Sequence, residues 1–144
     1  MSGNSTPIFS RVGDVSSNGT TGMSALITAA AADYTGVSAN YVLVFTADAT
    51  NGSFIQRLRF KAGGTNVAAV MRIFINNGSV HTTATNNSFY GEVSLPVTTA
   101  TTTSGTTDVD YPMNFALNPG FCIYVGLGAA VAAGWVVTAI GGKY

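Results

Sequence analysis

Residues 108–117 read DVDYPMNFAL, and the period of two in that stretch decides the fold class. Val109, Tyr111, Met113, Phe115 and Leu117 are all apolar, whereas the intervening positions include Asp108, Asp110, Pro112 and Asn114. This is the alternation of a strand with one face on a core. Pro112 has no N–H to give to a ladder, so this strand is expected at a sheet edge or at a bulge. The stretch SFIQRLRFKA at 53–62 sorts in the same way, with Phe54, Leu58 and Phe60 beside Gln56 on one face and Ile55, Arg57, Arg59 and Lys61 on the other. Phe121, Ile123, Val125 and Leu127 repeat the pattern, with Cys122 and Tyr124 opposite.

Working outward, about eight segments rich in Val, Ile, Phe, Tyr and Thr are separated by Gly, Asn and Asp clusters: 22–28, 40–46, 53–62, 68–75, 88–95, 108–117, 121–127 and 134–140. Asn51-Gly52, Gly63-Gly64, Asn77-Gly78 and Asn118-Pro119-Gly120 supply turn chemistry between them. Residues 29–32, all alanine, are read as at most one helical turn. The Thr-rich connector 97–107 is too long for a hairpin loop and suits a crossover between two sheets. The expectation is an all-β chain: an antiparallel β-sandwich of about eight strands over 22–144, jelly-roll or Greek-key in type, preceded by an extended N-terminal arm over 1–21. No repeat with a period of 20 to 50 residues is visible, which disfavours a solenoid or propeller.

Composition narrows the function classes. The chain has 144 residues, is 47% hydrophobic and only 8% charged, with six Lys or Arg against six Asp or Glu. A typical soluble chain carries roughly 25% charge. A monomer of 14.7 kDa exposes roughly 6,900 Å² by the surface scaling law, so most of its surface must be neutral. The apolar content is too high for a disordered tail, and zero net charge lacks the long-range term that drives nucleic-acid affinity. The most apolar stretch, 121–140, is broken by Gly126, Gly128, Gly134 and Thr138, so no membrane span is expected. Residues 1–20 show neither a basic nor an apolar leader region, so no secretory signal is expected, and a single cysteine, Cys122, rules out an intramolecular disulfide. Near-zero net charge removes self-repulsion and favours association.

No constellation of residues announces catalysis. His81 is the one histidine and stands in a turn-like stretch without a nucleophile motif, and one Cys with one His cannot complete a zinc site. Asp108 and Asp110 share a strand face roughly 7 Å apart, a spacing open to calcium. The other oxygen ligands are missing nearby, so a solvated edge is the preferred reading. Gly126-x-Gly128 leads into alanines rather than a phosphate-binding helix. No catalytic, metal or cofactor residues are assigned, and no reaction is expected. The one asymmetry is cationic: Arg57, Arg59, Lys61 and Arg72 fall within sixteen residues on neighbouring segments. If those segments pair, the four form one patch, either solvated or met by Glu92, Asp108 and Asp110 of a sister subunit or by another acidic surface.

The series FIQRLRFKAGGTNVAAVMRIFINNG, an EVSLP strand, the Thr-rich link, an LNPGF turn and the ending GWVVTAIGG together resemble small all-β virion accessory proteins of tailed bacteriophages, of the capsid decoration or cement type. The resemblance implies a structural virion protein made in the host cytoplasm. It would bind the major capsid protein on the capsid exterior, as an oligomer and commonly a homotrimer, and stabilise the shell, with no cofactor, membrane or specific nucleic acid involved. Ile8, Phe9 and Arg11 of the arm, with Arg57, Arg59, Lys61 and Arg72, are the expected interface residues. The alternative is a tail or fibre module that recognises host-surface carbohydrate by stacking sugars on Tyr34, Tyr41, Tyr90, Tyr124 or Trp135.

Overall fold

The computed structural model describes the backbone of residues 12–17 and the whole of 26–144. Eight strands follow in chain order: β1 Val12–Ser17, β2 Val42–Thr46, β3 Ser53–Ala62, β4 Ala69–Asn76, β5 Asn87–Leu95, β6 Asp108–Leu117, β7 Cys122–Leu127 and β8 Trp135–Lys143. The seven strands from β2 onward make a sheet of four, ordered β2-β7-β4-β5, facing a sheet of three, ordered β8-β3-β6, and β1 extends the second sheet along β8. All pairings are antiparallel. Only β4 and β5 are consecutive strands within one sheet; every other connection crosses between the sheets, which is the jelly-roll order.

The β-sandwich read from the sequence is therefore present, with one exchange of strands. Residues 26–28 are not a strand: Ile27 makes an isolated bridge to Trp135, and 22–25 lie outside the described residues. The place is filled by Val12–Ser17, from the segment read as an arm. Ladder bonds are main-chain bonds, so a polar segment such as VGDVSS can pair without much to bury. Residues 29–32 form no helical turn; Ala30 bridges Leu127 instead. The long connector after β5 does cross from one sheet to the other. Three of the four expected turns carry a glycine at positive φ, Gly52, Gly78 and Gly120, while Gly63-Gly64 does not. At Gly52 the requirement is also steric, because a Cβ there would sit 2.4 Å from the Leu117 carbonyl oxygen.

The facing sheets enclose one main core, in which Phe45, Ile55, Leu58, Phe60, Met71, Ile73, Ile123 and Trp135 have less than 2% of their surface exposed. Along β6 the alternation holds as read: Met113 and Leu117 are buried, and Val109, Tyr111 and Phe115 pack against the core. On β3 it does not. Ile55 is buried with Leu58 and Phe60, while Phe54 lies on the other face. The cause is a phase break at Gln56. Between the pairs made by Ile55 and Arg57, β8 has no intervening residue and β6 has two, Met113 and Asn114, so both neighbours of β3 change register at one level. Asn114 takes φ 55°, the left-handed region, to accommodate it. Pro112 is accordingly both on an edge strand and beside a bulge, as its missing N–H requires.

At the end of the sandwich where β3 turns to β4 and β7 to β8, a buried asparagine joins three loops. Asn66 accepts hydrogen bonds on Oδ1 from the Ala133 and Gly134 amides, each at 2.9 Å, and donates through Nδ2 to the Gly134 carbonyl at 3.0 Å. Its backbone pairs with Thr98 in the β5–β6 connector, and Thr98 Oγ1 in turn donates to the Gly64 carbonyl at 2.7 Å. Asn66→Ala would strand one buried and one half-buried amide donor, so it is expected to lower unfolding stability by about 2 kcal/mol, read from the urea midpoint by circular dichroism. A shift within error would show that the loops are held by other contacts.

Candidate interaction surfaces

The cationic segments part company in the fold. Arg57, Arg59 and Lys61 stand on β3 and Arg72 on β4, in different sheets, so the four do not form one patch. Three of them meet an acidic partner within the chain, and each partner is the directly opposed residue across a ladder. Arg59 faces Asp110, with Nε–Oδ1 at 3.0 Å and Nη2–Oδ2 at 3.3 Å. Lys61 faces Asp108 at 2.8 Å. Arg72 faces Glu92, with Nε 3.7 Å from Oε2. The hydrogen bond from Lys61 holds the Asp108 carboxyl below the usual carboxylate range, and the Asp110 contact raises the Arg59 guanidinium. Arg57 faces Pro112 and has no ion pair among the described residues. Ile8, Phe9 and Arg11 lie outside the described residues.

Segment 29–41 covers part of the outer face of the β2-β7-β4-β5 sheet. Ala31 and Tyr41 bury against Phe74, with Tyr124 packed alongside. Tyr41 can lie flat on β7 because residue 126 is glycine: a Cβ there would stand 2.5 Å from its ring. The Tyr41 hydroxyl reaches the Ala31 and Asp33 carbonyl oxygens, and burial pushes its pKa up to about 12. Asp33 organises the turn that follows. Its Oδ1 accepts from the Thr35 amide and hydroxyl, the Gly36 amide and the Val37 amide, and its Oδ2 accepts from the Ser38 amide. Burial works to raise its pKa, but the bonds from Thr35, Val37 and Ser38 outweigh it and the net direction is down.

Arg72 is 8% exposed and sits at the edge of this cover. Its guanidinium lies 4.1 Å from the Tyr34 ring centroid and donates through Nη1 to the Ala31 carbonyl at 3.1 Å. Beyond it, an open groove of about 570 Å³ runs between Val70, Ser94, Pro96, Gly128 and Ala129. The groove ends near the loops tied by Asn66, where Val67 and Val97 flank the Asn66–Thr98 bridge and are 62% and 66% exposed. Leu26, half exposed, stands at the same end, its Cδ2 against Gly63.

The aromatic candidates divide. Trp135 and Tyr41 are buried, so neither presents a stacking face. Tyr124 packs on His81 at 4.7 Å between ring centroids, and Tyr90 packs on Phe115 and Tyr111, closing the gap between the edge strands β5 and β6. Tyr34 and Tyr90 are both exposed, and Tyr34 stands edge to face with the exposed Phe89 at 5.5 Å. His81 Nδ1 is 3.0 Å from the Gly36 carbonyl oxygen, closing one loop on another. Cys122 is buried, which raises its thiol pKa. Among the described residues no group of three or more His, Cys, Asp or Glu is placed to hold a metal ion, and no helix is long and apolar enough to cross a membrane.

No protein-family model, curated protein or solved structure matches the chain.

The Asp33 network carries a pH signature. A carboxyl with a lowered folded pKa stabilises the fold above its unfolded value near 3.8, and that contribution is lost as pH falls through the folded value. Asp33→Asn is therefore expected to cost about 1.5 kcal/mol at neutral pH, with the penalty shrinking as pH falls below 3.8 in urea titrations. A penalty independent of pH would show that the charge of the carboxylate is not what orders the turn.

Proposed function

We propose that the protein is a structural virion component, a bacteriophage capsid decoration protein that assembles as a homotrimer, binds the major capsid protein on the shell exterior and stabilises the shell without a catalytic step. The observation that carries this reading is the placing of exposed apolar residues. Leu26, Val67 and Val97 and the mouth of the Pro96–Ala129 groove gather at one end of a jelly roll in which Arg59, Lys61 and Arg72 are paired with carboxylates within the chain. Such an end gains by contact with another surface. A protein that binds only the assembled shell shifts the equilibrium away from disassembly by mass action, and several attachment points per oligomer multiply the effect. The resemblance of the sequence to phage accessory proteins supports the same class.

A second reading, carbohydrate recognition by a tail or fibre module, is favoured by one observation: Tyr34 and Phe89 are solvent-facing and in mutual contact.

Undecorated shells mixed with the purified protein separate the two readings. Saturable binding with a raised rupture temperature is expected, and the paired substitutions Val67→Asp and Val97→Asp should weaken occupancy about a hundredfold while leaving the far-ultraviolet spectrum unchanged. Absence of any binding at micromolar protein would remove the capsid role.

A further inference from the structure

We infer that the cleft around Arg57 is a binding site for a carboxylate-bearing sugar unit of an acidic glycan. The inference is independent of the capsid reading and uses a different sheet from the Tyr34–Phe89 pair. The cleft, about 280 Å³, opens on the outer face of the β1-β8-β3-β6 sheet and is lined by Gln56, Arg57, Asp110, Pro112 and Asn114. Three features meet there.

Arg57 is the first. Its neighbours Arg59 and Lys61 oppose aspartates across the ladder, but Arg57 opposes proline, which supplies no counter-charge. Its Nε is buried and has no hydrogen-bond partner among the described residues. A guanidinium with no acidic partner has donors left to give, and a planar carboxylate is the acceptor whose geometry matches the guanidinium fork. Asp110, which also lines the cleft, pairs through both carboxylate oxygens with Arg59 and not with Arg57.

The second feature is backbone irregularity concentrated at this level. Gln56 is the extra residue of β3 against β8, Asn114 belongs to the extra pair of β6 against β3, and both line the cleft. Bulges re-aim side chains and recur beside binding sites. Asn114 moreover holds φ 55°, a conformation that costs a non-glycine residue free energy and that here places a carboxamide at the mouth of the cleft. The third feature is the donor set. Two carboxamides offer both donors and acceptors, which suits hydroxyl groups that do both, and the Pro112 ring gives an apolar patch for the C–H face of a sugar. A bare carboxylate would use Arg57 and leave both carboxamides idle. A carboxylate flanked by hydroxyls uses the whole set.

The test is titration of the uniformly labelled full chain, followed by amide chemical shifts, with D-glucuronate, D-glucose, acetate and an aspartyl peptide as probes. Glucuronate is expected to give saturable shifts at Gln56, Arg57 and Asn114, with glucose, acetate and the peptide each about tenfold weaker. Arg57→Gln should reduce glucuronate affinity about tenfold, and so should Asn114→Gly, which removes the carboxamide while retaining a residue at ease with positive φ. If Arg57→Gln fails to fold, Asn114→Gly decides alone. Equal affinity for acetate would overturn the proposal in favour of a bare anion site. Preference for the peptide would overturn it in favour of protein docking, and no shift at these residues, or shifts at Tyr34 and Phe89 instead, would overturn it outright.

Discussion

Cross-strand register pairs six of the twelve charged side chains of this protein. Arg59, Lys61 and Arg72 each stand directly opposite a carboxylate, two pairs across β3 and β6 and one across β4 and β5. Asp33 and Asp48 accept backbone amides from the turns that follow them. The exposed pairs add little to stability by themselves. Their effect is on the exterior: few charges are left to keep copies of the molecule apart, and the residues at the tied-loop end are apolar.

The same register explains where the surface becomes irregular. An interior strand must keep register with a neighbour on each side, and β3, between β8 and β6, meets the two with different residue counts at Gln56. The mismatch turns Ile55 into the core and brings Arg57 opposite Pro112. At the far end, Asn66 exchanges hydrogen bonds with two loops and holds the third through Thr98, so that Val67 and Val97 are presented by a braced scaffold. Packing, register and surface are thus one problem in this chain.

Much of this was legible in the sequence where side-chain period alone decides. β6 was read with its full bounds because its alternation runs unbroken in apolarity, and β3 because turn residues flank it. The phase break inside β3 was not, since nothing in SFIQRLRFKA distinguishes an inward Phe54 from an inward Ile55 until the neighbours' register is known. Reading the cations as one patch failed for a related reason: β3 and β4 look like a hairpin in sequence, and the jelly-roll order sends them to opposite sheets. Asn66 was passed over because an asparagine after Gly63-Gly64-Thr65 looks like an ordinary solvated turn residue. Strand β1 was hidden by polarity, because its pairing with β8 is carried by main-chain groups.

The central claim is that so neutral an exterior exists to be covered. Sedimentation velocity across micromolar concentrations tests it most directly. The account predicts a discrete assembly whose mass is a small multiple of 14.7 kDa, three copies under the capsid reading. A single 14.7 kDa species at every concentration, with no affinity for any larger particle, would contradict it.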